Sequence, residues 1–173
     1  MGDLAAKIKA FQKISKQLEP SEIERSQYIK QLSRYSSSFI DTLDSTPAYS
    51  DEKEKASVFK IDGEKKLFAQ LLKIYASEVA TKGINAASGG HLGYIPGGGI
   101  FTAALGDFLA DVTNEYAGMH YASPGAVSME NELLDWMKSI FGFPKSAIGN
   151  LTSGGSIANL IALTAARDKK GVK

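Results

Sequence analysis

A chain of 173 residues, 43% hydrophobic and 23% charged, has the make-up of a soluble globular protein rather than a disordered segment. Its net charge of +1 lacks the basic excess that favours nucleic-acid or anionic-membrane partners. With no cysteine and only His91 and His120, disulfides and thiolate metal sites are excluded, and no metal site is expected.

The first helix is predicted over residues 3–18, where Leu4, Ile8, Phe11, Ile14 and Leu18 recur at helical spacing. This N-terminus has no long apolar core and no cleavage-like end, so a secretory signal is not expected. Alanine also stands at residue 6, where a myristoylation signal requires Ser or Thr. No segment reaches the roughly 20 apolar residues of a membrane helix, and a cytoplasmic chain is expected.

Pro20 interrupts the pattern, and Ser21 with Glu24 forms a capping box for a second helix whose inner face carries Ile29, Leu32, Tyr35, Phe39, Ile40 and Leu43. "DSTPAYSDEKEK", 44–55, reads as a loop. A third helix is predicted from about Glu64 to Thr81, with Leu67, Leu71, Leu72, Tyr75 and Val79 inward. Nothing in these helices looks chemical; a bundle or a dimerisation arm accounts for them.

The composition changes at Gly83. Of 17 glycines, 14 fall between Gly83 and Gly155, and no lysine or arginine occurs from Gly83 through Met137. Such a base-free stretch is expected to be buried against another domain or subunit. "GGHLGYIPGGGIF", 89–101, is too rich in glycine for a helix or central strand and is expected to be an ordered loop. A helix from about Thr102 to Asn114 follows, then the loop "EYAGMHYASPGAV". The next helix, 128–144, carries Met129, Leu133, Leu134, Trp136, Met137 and Phe141, and Pro144 is expected to end it. "AIGNLTSGG" reads as a short strand, and Ile157–Arg167 as a last helix burying Leu160, Ile161 and Leu163. With one strand-loop-helix unit and no second strand to pair in parallel, the chain reads as the beginning of a larger α/β protein.

The corner "TSGGS", 152–156, carries the candidate chemistry. If Ser156 caps the last helix, the remaining first-turn N–H groups and the helix dipole point into a hollow shaped by Ser153, Gly154 and Gly155. It is neither a P-loop nor a G-x-G-x-x-G fingerprint. On local chemistry alone, a phosphate cradle and a plain capped turn both remain open. Asp107 and Asp111, one helical turn apart, could pair as acid and base, but a solvent or interface role fits them better. Lys169, Lys170 and Lys173 are rejected as nucleophilic amines, because nothing in a charged tail would depress an ammonium pKa.

"TSGGSIANLIALTAARD" resembles the cofactor-phosphate loop and following helix of the group II pyridoxal-phosphate (PLP) decarboxylases. These are the aromatic-amino-acid, histidine and glutamate decarboxylases of the fold-type I aminotransferase-like scaffold. "GHLGYIPGGG" resembles that family's substrate-side loop. "ALGDFLADVTNEYAGMHYASPGAVSMENELLDWMKSIFGFP" resembles the segment preceding its phosphate loop. The likeness runs in order from about residue 64 to 168.

The resemblance implies the N-terminal portion of an α/β, fold-type I PLP-dependent transferase-like fold, itself mostly α-helical. It implies a helical arm over 1–60, a helix and glycine-rich substrate-side loops over 61–125, and the start of the PLP-binding large domain over 126–173. Gly155 and Ser156 would hold the cofactor phosphate, with Ser153 and Gly154 shaping the approach. Ile95, Pro96 and Gly97 would line the substrate pocket. Tyr116 and Gly118 correspond to positions that the family's dimers offer to the partner's site, and Asp135–Trp136 would be structural.

His120 stands where aromatic-amino-acid members carry tryptophan, and Gly118 would leave that wall of the pocket open. An aromatic substrate is therefore not the default. Neither His91 nor His120 matches the family's ring-stacking histidine, and for both a hydrogen-bonded structural role is expected. The resemblance implies an amino-acid carboxy-lyase that works as a homodimer, with no nucleic-acid or membrane partner. The family's cofactor-anchoring lysine and pyridine-facing aspartate lie beyond residue 173, so this chain alone is expected to be inactive, with no catalytic residue of its own. Two alternatives are a fold-type I carbon–carbon lyase of the sphingosine-phosphate lyase type and a non-catalytic dimerisation module.

Overall fold

The computed structural model describes residues 2–171 and divides the chain into two compact units, Met1–Ala103 and Ala104–Lys173. In the first unit, α1 (Gly2–Ser15) ends in a 3-10 turn, Lys16–Leu18. Helix α2 (Glu22–Asp41) starts on the predicted capping box: the Glu24 N–H donates to Ser21 Oγ at 3.3 Å, and the Ser21 N–H donates to Glu24 Oε2 at 2.8 Å. Helix α3 (Phe68–Ile74) passes into a π turn, Tyr75–Val79.

Helix α3 is shorter than its periodicity predicts. Gly63 adopts φ +81°, and the Glu64 N–H donates to Asp62 Oδ1 at 3.0 Å, so an Asp-Gly turn directly precedes the expected start and takes up the Glu64 N–H. The helix begins where Gln70 Oε1 accepts the Leu67 N–H at 2.8 Å. Aromatic pairs join α2 to α3: Tyr28 meets Phe68 at 4.7 Å between ring centroids, and Tyr35 meets Tyr75 edge-on at 5.9 Å. Two short strands, β1 (Tyr49–Ser50) and β2 (Gly83–Ile84), pair antiparallel with Tyr49 opposite Ile84.

The second unit holds most of α4 (Phe101–Thr113), α5 (Pro124–Ile140) and α6 (Gly155–Lys170). Helix α5 starts four residues earlier than predicted, with Pro124 in its first turn, where proline's missing N–H costs no helical bond. Its stop is also earlier, and Gly142 rather than Pro144 makes it. Gly142 adopts φ +68°, and the Phe143 N–H reaches Lys138 O at 2.9 Å, closing a Schellman motif. The strand predicted over 147–152 is extended but unpaired, because no neighbouring strand among the described residues offers it a ladder.

The burial predicted for Leu160, Ile161 and Leu163 is absent among the described residues. No apolar residue among those described is buried; Leu160, Ile161 and Leu163 are 59%, 45% and 70% exposed. The chain exposes 15024 Å², against roughly 8,000 Å² for a folded monomer of this length. The apolar faces of α4, α5 and α6 are formed but uncovered.

Candidate functional site

The corner before α6 is built by main chain. Gly154 is the N-cap, at φ 154° and ψ 170°, a region open in practice only to glycine. This corrects the expectation that Ser156 is the cap: Ser156 lies in the first turn, and no side chain caps the helix. The first intrahelical bond is Ala158 N–H to Gly154 O at 3.1 Å, which leaves the N–H groups of Gly155, Ser156 and Ile157 without helical acceptors. Thr152 Oγ1 donates to Gly154 O at 3.1 Å and fixes the bend. Thr152 was not anticipated; its signal was a hydroxyl two residues before a glycine pair.

No acidic residue stands in the first turn, whereas Arg167, Lys169 and Lys170 occupy the last. The positive end of the dipole is therefore neither neutralised nor screened by the helix's own carboxylates. A Cβ built on Gly155 meets no atom within 4 Å, so there is open room at the backbone. Bare donors, space and two nearby serine hydroxyls fit a phosphate ester. The Lys169 and Lys170 amines are exposed at the opposite end of α6, and Lys173 lies outside the described residues.

In the first unit, the glycine-rich loop hangs from Ser88, which is 6% exposed. Ser88 Oγ donates to Thr46 O at 2.6 Å and accepts the Gly90 N–H at 3.2 Å, while the His91 N–H donates to Ser88 O at 3.0 Å. Sequence reasoning passed over Ser88. Tyr94 adopts φ +66°, and Ile95, Pro96 and Gly97 beyond it are exposed. His91 stacks on Tyr94, and its Nε2 is buried without a hydrogen-bond partner, contrary to the hydrogen-bonded role expected of it.

In the second unit, residues 114–123 form a tied loop. Asn114 turns the chain at φ +49°, and Ser123, 7% exposed, donates through Oγ to Glu115 Oε2 at 3.4 Å. The Tyr116 ring lies beside Gly118, and His120 is exposed. Asp135 pairs with Lys138, whose Nζ also donates to Ala147 O at 3.0 Å, tying α5 to the segment that leads into the corner. Asp107 and Asp111 are exposed. No cluster of possible metal ligands occurs among the described residues.

Residues 47–173 match the family model described as the pyridoxal-dependent decarboxylase conserved domain. An aromatic-L-amino-acid decarboxylase of Bacillus atrophaeus is 43% identical over 79 residues, covering 46% of this chain and 16% of the relative. Tyrosine/DOPA decarboxylase 3 of Papaver somniferum is 30% identical over 106 residues, 58% of this chain and 20% of the relative. An L-2,4-diaminobutyrate decarboxylase of Acinetobacter baumannii is 33% identical over 64 residues, 37% of this chain and 12% of the relative.

Among solved structures, Oryza sativa TDC with PLP and tryptamine superposes with a TM-score of 0.72 at 21% identity, over 90% of this chain and 37% of that one. Catharanthus roseus tryptophan decarboxylase in complex with L-tryptophan gives 0.69 at 18% identity, over 87% and 34%. The chain thus spans about a third of the structures it resembles and at most a fifth of these curated relatives. The fold is the mostly helical N-terminal portion of that architecture.

Proposed function

The chain belongs to the pyridoxal-dependent decarboxylase family, and from that premise we propose that it is the cofactor-gripping N-terminal part of a PLP-dependent amino-acid decarboxylase. The observation that carries this reading is the corner at Ser153–Ser156, bent at a glycine-only conformation of Gly154 with no side-chain cap and lying within the matched segment.

When bound, PLP supplies the electron sink for the carbanion left by loss of carbon dioxide. The residues of this chain bind and orient. The N–H groups of Gly155 and Ser156, with the Ser156 hydroxyl, hold the phosphate, while Gly154 keeps the bend that aims them. Ser153 and Gly154 shape the approach. Ile95, Pro96 and Gly97 form a wall toward the substrate side chain; Tyr116, Gly118 and His120 form another, offered across a homodimer.

The uncovered apolar faces of α4 and α5 and the exposed stripe of α1 support a second subunit. The proposal extends to a cytoplasmic homodimer acting on an amino acid, with neither nucleic acid nor membrane as partner. Sedimentation of the full-length protein as a monomer would count against the dimer.

The direct test loads the full-length protein with PLP and measures carbon dioxide release from L-tryptophan, L-tyrosine, L-DOPA and L-2,4-diaminobutyrate. Release from at least one, with an absorption band near roughly 400–430 nm from lysine-bound cofactor, is expected. A protein that takes up no PLP would refute the proposal.

A further inference from the structure

We propose that His91 is a positioning residue: its ring props Tyr94 and thereby sets the Ile95–Pro96–Gly97 wall of the substrate-side loop. The inference rests on the decarboxylase reading above.

Tyr94 is one of two non-glycine residues among those described with positive φ, at +66°. An aromatic side chain is strained in that conformation and keeps it only where surroundings over-determine it. Beyond the wall, Gly98 lies against Ala87, a built Cβ standing 3.4 Å from the Ala87 Cα, but little else touches the tip between Leu92 and Gly97. Leu92, Tyr94 and Ile95 are 94%, 83% and 100% exposed, and Gly93 and Gly97 have no neighbour within 4 Å of a built Cβ. The contact that remains is the imidazole of His91, lying 6.2 Å from the phenol between centroids and inclined by only 14°.

His91 is in turn anchored. Its N–H donates to Ser88 O at 3.0 Å, and the nearly buried Ser88 is tied to Thr46 O at 2.6 Å. A chain of contacts therefore runs from Thr46 through Ser88 and His91 to Tyr94. The wall residues follow directly in sequence.

The buried Nε2 of His91 makes no hydrogen bond. Nε2 therefore does not orient this ring through another atom of the described residues, and a benzene ring is expected to serve as well. That distinction makes the proposal testable with a conservative pair, His91→Phe and His91→Ala, in the full-length PLP-loaded protein.

His91→Ala should raise KM roughly three- to tenfold, the scale of one lost aromatic contact, and change kcat less than about twofold. His91→Phe should restore KM. Crystal structures of the two variants give a readout independent of turnover: Tyr94 should keep its positive φ with phenylalanine and lose it with alanine. Tyr94 unmoved in His91→Ala, or His91→Phe behaving like His91→Ala, would overturn the proposal. If the wild type takes up no PLP, the decarboxylase reading fails by itself, and the Tyr94 geometry still decides the role of His91.

Discussion

The ring of Tyr116 lies where a side chain at Gly118 would begin: a Cβ at residue 118 would stand 3.0 Å from both Cζ and Oη of the phenol. The two positions behave as one, because the ring occupies the volume that a side chain at 118 would need. Gly118→Ala should push the phenol aside by a few tenths of an ångström. The displaced atoms are the free end of a side chain, so stability should fall by less than about 1 kcal/mol, and the effect should appear in KM. A double-mutant cycle with Tyr116→Ala checks this: Gly118→Ala should lose its effect once the ring is gone.

Gly154 and Gly155 should respond differently to alanine. Gly154→Ala forces a Cβ into a glycine-only conformation and should cost about 1–3 kcal/mol. Gly155→Ala meets open space in a helical first turn, so stability should hold or rise by up to about 1 kcal/mol. If the backbone approaches the phosphate closely, Gly155→Ala should nonetheless weaken PLP. Thermal unfolding beside a PLP titration separates the two effects.

Gly142 ends α5 in the left-handed region. Gly142→Ala should destabilise the protein by about 1–2 kcal/mol, whereas Pro144→Ala should be close to neutral. Chemical denaturation of both variants provides the comparison.

Acid should loosen the first unit. Glu24, Glu52 and Glu78 are all held below their ordinary value of 4.5. The causes are the hydrogen bond from Ser21, the hydrogen bond and charge of Lys82, and the Lys55 N–H, respectively. Each carboxylate binds protons more readily unfolded than folded, so its contribution is present above about 4.5 and is lost as pH falls through the depressed value. Stability measured from pH 6 downward should decline below that point, and Glu24→Gln should flatten part of the decline.

Short-range chemistry was legible in the sequence. The Ser21–Glu24 box, the absence of helix and strand over 89–100 and the helix after "TSGG" each rest on neighbours within a few residues. Boundaries shifted where two local signals competed: the Asp62–Gly63 turn shortened α3, and Gly142 pre-empted Pro144. The burial expected of Leu160, Ile161 and Leu163 is not found, because apolar periodicity marks a face that needs cover and not which residues supply it. The predicted strand failed for a related reason, because a strand needs a ladder partner that local pattern does not reveal. Ser88 escaped because its partner, Thr46, lies 42 residues away, whereas Thr152 and the Tyr116–Gly118 contact are local and escaped because side-chain orientation within a loop is not encoded in apolar periodicity.

The central claim is that the front of α6 grips a phosphate ester, and a crystal structure of the full-length protein with PLP tests it most directly. The account predicts phosphate oxygens within roughly 2.7–3.2 Å of the Gly155 and Ser156 nitrogens. A phosphate seated elsewhere, with those N–H groups turned to other protein atoms, would contradict it.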